Sequence, residues 1–167
     1  MRNRRGVWGQ LALLVLSLLG AGIAIYLTTV HYENAPLICS TNGLVDCARV
    51  LSSSYSLVPG TTIPISIPGL GWCLVIAVLA ILALSVRPER RWIRMAQFAW
   101  SLVGIVVVLY LVYAEIVALH TICVWCTALH VIVLVIFLIS MVQLRQAEPD
   151  SELETEEEER KITTKSR

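Results

Sequence analysis

Four long apolar segments, separated by polar or basic connections, dominate the hydropathy pattern of the chain. An α-helix rises about 1.5 Å per residue, so a segment of about 20 residues can cross a hydrocarbon core about 30 Å thick. Each of the four segments is about that long. The pattern predicts an all-α membrane protein in which four transmembrane helices form one bundled domain, residues 7–144, with spans at about residues 7–30, 68–86, 95–119 and 123–144.

Residues 31–67 form the one long polar connection between the predicted spans. Within it, residues 42–51 place apolar side chains on one side of a helix and predict a short amphipathic helix. Residues 61–67 alternate polar, apolar and proline positions, which is typical of an extended segment. We therefore expect this loop to fold as a cap, with one short helix, over one end of the bundle.

Basic residues near the ends of the spans predict how the chain crosses the membrane. Arginines are concentrated in the stub 1–6, in the connection 87–94 and at position 145, whereas the loop 31–67 contains only Arg49. By the positive-inside rule, both termini and the short basic connection lie in the cytoplasm. The cap loop and the turn before the last span then lie together on the outer, extracytoplasmic face.

The composition agrees with this class of protein. The chain of 167 residues is 57% apolar and 15% charged, against about 45–50% and about 25% for a soluble domain. Much of the acidic charge falls in residues 145–167, a low-complexity segment that we expect to be a disordered cytoplasmic tail. We expect no nucleic-acid partner.

Five cysteines give the first indication of chemistry. Cys123 and Cys126 form a C-x-x-C pair at the start of the last span, where they share one face of a helix. Near a helix start this spacing can meet the Cα separation of about 4.4–6.8 Å that a disulfide needs, and a helix N-terminus favours a thiolate. Cys39 and Cys47 fall in the cap loop, on the same predicted face of the membrane, where disulfides are permitted.

Two cysteine pairs on one membrane face favour thiol–disulfide exchange between a loop pair and a fixed pair. The alternatives are a static loop disulfide beside two packed cysteines, or a zinc site, for which the C-x7-C spacing is loose; we expect no metal. The chain has no glycine-rich dinucleotide motif, haem-attachment motif or flavin fingerprint. A membrane quinone fits as the electron acceptor, because it is apolar and takes the two electrons that a dithiol gives.

The cysteines also lie in a specific sequence context. Cys39 and Cys47 are separated by seven residues, the run C-A-R-V-L-S-S extends from Cys47 to Ser53, and C-V-W-C at 123–126 opens the last span. In this combination the chain resembles the vitamin K epoxide reductase family, in its short bacterial form, over about residues 8–144. The resemblance implies a four-helix bundle around a quinone, capped by the loop with its short helix.

The resemblance implies a role for each matching residue. Cys126, deeper in the helix, would contact and react with the quinone, and Cys123 would be its disulfide partner. Cys47 would exchange with Cys123 through a transient mixed disulfide, while Cys39 would pair with Cys47 and meet the external thiol donor. Ser53 matches the family's active-site serine near the quinone.

The chain departs from the animal enzymes of this family at two places. His130 stands where they have a tyrosine that hydrogen-bonds the quinone; one helical turn past Cys126, its imidazole N–H can donate instead, or the side chain is a packed polar residue. Residues 64–69 lack the asparagine that binds the other quinone carbonyl. The resemblance therefore does not imply epoxide reduction or anticoagulant sensitivity. Many bacterial members carry a fused thioredoxin-like domain; here we expect a separate thiol partner.

Two further residues inside the predicted spans are notable. Glu115 is ionisable, and such residues in a membrane are functional candidates. It can relay protons to the reduced quinone, pair with Arg49, or reach interfacial water. Cys73 has no partner visible in the sequence, and we expect it to pack in the core or to lie incidentally beside the quinone.

Together these observations predict a quinone-dependent thiol oxidoreductase in a bacterial plasma membrane. Electrons would pass from an extracytoplasmic thioredoxin-fold protein through both cysteine pairs to menaquinone, ubiquinone or vitamin K, and disulfides would form in exported proteins. One alternative is a vitamin K quinone or epoxide reductase in the membrane of the endoplasmic reticulum. The other is a non-enzymatic four-span scaffold whose loop disulfide is structural.

Overall fold

The computed structural model describes residues 2–33, 39, 45–86 and 91–165. Its helices are α1 (Arg2–Glu33), the short α2 (Cys47–Leu51), α3 (Ser66–Val86), α4 (Arg91–Tyr113) and α5 (Val124–Lys165). Four segments are long and apolar enough to cross a membrane: Gly6–Glu33, Ser66–Ser85, Arg91–Ala118 and Val124–Gln146. Within these described ranges, β-structure is limited to two isolated bridges. The predicted all-α fold with four spans is confirmed.

The long helices pack as a ring in which each has two neighbours. α1 contacts α3 and α5, and α4 contacts the same two helices from the other side. Leu13, Ile76, Ala80 and Ile136 meet at the centre of the ring. Because lipid is as apolar as this core, close packing rather than removal of apolar surface from water holds the helices together.

Buried amides join three helices at the end of the bundle away from the cap. Gln10 of α1 donates hydrogen bonds to Gln97 of α4 and to Gln143 of α5, and Gln97 donates back to Gln10 at 2.8 Å. Arg94 donates to the backbone carbonyl of Gln143 at 2.7 Å. Each such interhelical bond contributes about 0.6–2 kcal/mol in a membrane. The amides therefore fix the relative positions of α1, α4 and α5.

Two tryptophans and a glycine form the contact between α3 and α4. Trp72 donates its indole N–H to the backbone carbonyl of Trp100 at 3.0 Å, and Trp100 donates to the carbonyl of Trp72 at 3.3 Å. The Trp72 ring lies directly over Gly104, where a Cβ atom would be 2.5 Å from Cζ2 of the indole. The absence of a side chain at this position lets the two helices approach closely.

The cap consists of α2, a short 3-10 turn (Ser54–Ser56) and a hairpin-like loop. Asp46 caps α2 by accepting a hydrogen bond from the backbone N–H of Arg49 at 3.0 Å. The loop doubles back at Gly60, whose φ is +79°, so that Leu57 pairs with Pro64. The predicted short helix is present in part: its second half is α2, and residues 42–44 lie outside the described residues. The predicted extended segment ends earlier than expected, because α3 already begins at Ser66.

A π-helical turn, Ala114–Ala118, follows α4. In this wide turn the backbone N–H of Leu119 donates to the carbonyl of Ala114 at 2.9 Å, five residues back. His120 has a positive φ of 52° and ends the segment before the chain enters α5. Single π-turns inside helices occur frequently at functional sites.

The helix that contains the last span continues into the acidic end of the chain. α5 runs without interruption from the membrane-spanning part to Lys165. Glutamate, lysine and arginine have high helix propensity, and a helix that is already formed extends more easily than a new one starts. The acidic composition that suggested disorder is thus also compatible with a helix.

Candidate active site

The four cysteines of the two predicted pairs lie in one cluster under the cap. Cys47 and Cys123 are fully buried, and Cys39 and Cys126 pack against them. Cys39 and Cys47 are joined by a disulfide, with their Cα atoms 6.3 Å apart. Cys123 and Cys126 are both free thiols. An oxidised pair and a reduced pair are therefore next to each other.

A short parallel β-bridge between the cap and the turn before α5 brings the two cysteine pairs together. Val45 pairs with Ile122, and the backbone N–H of Asp46 donates to the carbonyl of Ile122 at 3.3 Å. One partner segment leads directly into Cys47 at the start of α2, and the other into Cys123 just before α5. The bridge therefore sets the position of the first cysteine of each helix relative to the other.

Cys123 lies in the cap position before the first residue of α5. The backbone N–H of Cys126 donates to the sulphur of Cys123 at 3.3 Å, and Thr127 donates both its backbone N–H and its hydroxyl to the Cys123 carbonyl. The pKa of the Cys123 thiol is lowered from its ordinary value, chiefly because the Cys126 thiol donates a hydrogen bond to it. Burial and the nearby Glu115 carboxylate raise this pKa, but their combined effect is smaller than that of the hydrogen bonds.

Trp125, between the two cysteines, anchors this helix start to α1. Its ring lies 4.9 Å from the ring of Tyr26, centroid to centroid. Aromatic pairs at this distance contribute about 0.5–1.5 kcal/mol beyond the burial of their surface. The contact holds the C-x-x-C segment against a second helix of the ring.

Glu115 comes from the π-helical turn and reaches the C-x-x-C pair. Its carboxylate interacts with the backbone N–H of Cys123 and with the thiol of Cys126. It is only 6% exposed, whereas its neighbours Ile116 and Val117 are half exposed or more. The proton-relay role that the sequence suggests for Glu115 stays a prediction. Arg49, the alternative partner, is exposed on the cap.

An apolar cavity opens beside Cys126, between the cap and the ends of α1 and α4. Polar groups on its wall come from Glu115 and also from residues that were not singled out in the sequence. The lining consists of Leu27, His31, Val50, Leu51, Tyr55, Ser56, Pro64, Ile65, Ser66, Leu111, Ala114, Glu115, Leu119 and Cys126. A concave apolar site with a few polar groups is the usual form of a small-molecule site.

Two residues predicted to bind the quinone lie outside the described lining of this cavity. Ser53 donates its hydroxyl to the backbone carbonyl of Val50 at 2.7 Å, while Ser56, one turn later, lines the cavity. His130 is half-buried on α5, one turn beyond Cys126. Their roles stay predictions.

Cys73 lies apart from the other cysteines, on α3. It is 1% exposed and packs close to Gly20 of α1, in the membrane-spanning part of the bundle. This is the packed position that we expected from the sequence. Among the residues that the structure describes, no group of three or more His, Cys, Asp or Glu side chains is arranged to hold a metal ion.

Comparison with known families agrees with this geometry. The model of the vitamin K epoxide reductase family matches residues 11–141, a range that contains all four clustered cysteines and nearly all of the four long apolar segments. The chain belongs to the vitamin K epoxide reductase family. No curated protein matches it. Membership makes it a multi-pass membrane oxidoreductase of the thiol and quinone type, in a family whose electron acceptor is a quinone.

Proposed function

We propose that this family member oxidises the thiols of a thioredoxin-fold protein and passes the electrons to a membrane quinone. The observation that carries the proposal is the cluster of both cysteine pairs, with Cys47 and Cys123 placed side by side by the Val45–Ile122 bridge. Sulphur atoms must come into contact for thiol–disulfide exchange, because the reaction passes through a mixed disulfide.

The electron path has three steps. The reduced partner protein attacks the Cys39–Cys47 disulfide and leaves oxidised, with the cap pair reduced. A Cys47 thiolate then attacks a Cys123–Cys126 disulfide at Cys123, and Cys39 displaces Cys123 as the cap disulfide forms again. The reduced C-x-x-C finally gives two electrons to the quinone.

The lowered pKa of Cys123 supports this order. A thiol with a lower pKa is the better leaving group in disulfide exchange. When Cys39 attacks the mixed disulfide, Cys123 is the sulphur that must leave. The Cys126 thiol and the backbone groups at the start of α5 stabilise its thiolate.

The cavity beside Cys126 is our candidate for the quinone site. Its walls are almost wholly apolar and include the sulphur that would react. Tyr55 of the cap supplies a hydroxyl group for a quinone carbonyl, whereas the Ser56 hydroxyl already donates within the cap, to the backbone carbonyls of Leu51 and Ser53. We place the cap on the extracytoplasmic face of a bacterial plasma membrane and both termini in the cytoplasm.

The test is quinone reduction by purified protein with dithiothreitol as the electron donor. Cys123→Ala and Cys126→Ala should each abolish the quinone-dependent reaction, because no disulfide can then form at the acceptor. Cys73→Ala is the matched control and should keep the wild-type rate, since Cys73 lies outside the cluster. Cys39→Ala should lose turnover with a thioredoxin-fold donor and keep part of it with the small dithiol. Unchanged quinone reduction in both C-x-x-C variants would end the proposal.

A further inference from the structure

The chemistry proposed above moves protons as well as electrons, and one carboxylate lies where a proton has to move. Oxidation of a dithiol by a quinone transfers two electrons and adds two protons to the quinol oxygens. We infer that Glu115 takes the proton of the Cys126 thiol and delivers it to the reduced quinone. This inference rests on the proposed quinone reduction.

The position of Glu115 is the first argument. Its carboxylate contacts the Cys126 thiol, and it lines the same cavity as Cys126. One group therefore touches both the atom that loses a proton and the space where an acceptor would bind. A catalytic acid or base has to be within hydrogen-bonding reach of the proton that it transfers.

The cost of burying Glu115 is the second argument. An ionisable side chain within a membrane span is costly, and those that occur usually line functional paths. Glu115 is 6% exposed in a segment whose other side chains are apolar. Its described contacts are a thiol and a backbone N–H, both from the C-x-x-C segment. The described contacts of the Glu115 carboxylate are therefore all with the C-x-x-C pair that reacts.

The π-helical turn is the third argument. It directs Ala114 and Glu115 into the protein while Tyr113 and Ile116, on either side of them, stay exposed. The backbone carbonyl of Glu115 also accepts a hydrogen bond from Thr121 at 3.0 Å, which ties the turn to the residues just before Cys123. The geometry of this turn holds the carboxylate on the C-x-x-C pair.

The step balances as follows. The Cys126 S–H bond breaks, its proton goes to a Glu115 carboxylate oxygen, and the electron pair of the sulphur goes to the quinone. The Cys123 thiolate forms the S–S bond with Cys126. Glu115 then gives its proton to one quinol oxygen, and the second quinol oxygen takes a proton from water. One thiol, one thiolate, one proton and a quinone become a disulfide and a quinol.

Several titratable groups face this site and enter its pH dependence. Cys123 and Cys126 contact Glu115 from the start of α5, while His31 of α1 and Tyr55 of the cap lie on the wall of the same cavity. A pH profile alone therefore does not identify Glu115. Glu115 is identified only if its substitution changes the pH profile while these other groups are left in place.

The experiment compares Glu115→Gln with wild type in the quinone-reduction assay across pH. Glutamine keeps the size and a hydrogen-bond acceptor but cannot hold the proton. We expect kcat to fall about 100-fold or more, the usual contribution of a general base, and one limb of the pH profile to disappear. Glu115→Asp should recover part of the rate. Glu33→Gln, which changes an exposed carboxylate at the end of α1, should have no effect.

A second readout separates proton transfer from structure. In Cys39→Ala protein whose C-x-x-C pair has first been oxidised chemically, without quinone, the Cys47–Cys123 mixed disulfide should form on reduction of the cap, and its yield should be the same with and without Glu115→Gln. An unchanged kcat and pH profile, or a parallel loss of the mixed disulfide, would overturn the inference. If wild-type protein itself reduces no quinone, the proposed function fails, whatever Glu115 does.

Discussion

Cys123 is the residue at which the proposed redox steps meet, since it faces the cap pair and also lies beside Cys126. It accepts hydrogen bonds from a thiol and from backbone N–H groups at the start of α5. These donors stabilise the negative charge that the sulphur carries when it leaves a mixed disulfide. As the pH falls through the lowered pKa of Cys123, the thiolate is protonated and this advantage is lost.

The lowered pKa of Cys123 can be measured directly. In Cys73→Ala protein with a reduced C-x-x-C, the first thiolate seen by ultraviolet absorbance should appear at a lower pH than for an ordinary cysteine. Adding Cys126→Ala should raise that midpoint, because the largest stabilising contact is removed. A midpoint at or above the ordinary cysteine value, or one that Cys126→Ala leaves in place, would contradict the assignment.

The sequence identifies the candidate reactive residues better than the residues around them. The four cysteines stand out by their spacing and their placement on one membrane face, and Glu115 stands out as a charge inside an apolar segment. Tyr55 and Ser56 could not be identified in the same way, because they reach the cavity only through the path of the cap loop. Ser53 has the spacing of an active-site serine, yet the 3-10 turn that follows it places Ser56 on the cavity wall.

At the scale of helices, the contact between α3 and α4 depends on a missing side chain. A Cβ atom on Gly104 would overlap the Trp72 ring, which is held by its hydrogen bond to the Trp100 carbonyl. Because the indole is large and rigid and is fixed by that bond, the helices rather than the ring would have to move.

Gly104→Ala should therefore destabilise the bundle by about 1–3 kcal/mol, the usual effect of overpacking. The measurement is thermal unfolding of the purified protein in detergent, with Gly71→Ala as the control. Gly71 is on the same helix as Trp72, and no atom of the described residues lies within 4 Å of the place that its Cβ would take. Its substitution should leave the midpoint unchanged or raise it. Equal stability of both variants would show that α3 and α4 can separate without cost.

The four spans were predictable because long apolar segments specify membrane helices almost without regard to tertiary contacts. The π-helical turn was not, because one extra residue in a turn leaves the apolar composition of the segment unchanged. The start of α2 at Cys47 was not predicted either. Asp46 caps the helix, and its backbone N–H donates to Ile122 in the turn before α5, which sets where helical structure begins. Neither feature can be read from the hydropathy pattern alone.

For the molecule as a whole, the two cysteine pairs must share one side of the membrane. The structure places the cap and the start of α5 at the same end of the bundle, and the buried glutamines at the other end. Arg91 and Arg94, at the start of α4, are at the glutamine end. By the positive-inside rule we expect that end to face the cytoplasm.

Protease protection of epitope tags tests this orientation. A tag inserted after Gly60, in the exposed turn of the cap, should be digested in intact spheroplasts. A tag added after Arg167 should be protected there and digested only in inverted vesicles. Digestion of both tags from the same side would contradict the arrangement, because an even number of spans places both termini opposite the cap.

The bridge between Val45 and Ile122 also limits where the protein can change in length. Side chains alternate along paired extended segments, so a slip of one residue at this bridge would turn Cys47 away from Cys123. Insertions or deletions immediately before either cysteine should therefore prevent the proposed electron transfer between the two cysteine pairs. The turn at Gly60 lies outside this bridge. An insertion there could enlarge the cap for another donor protein and still leave Cys47 beside Cys123.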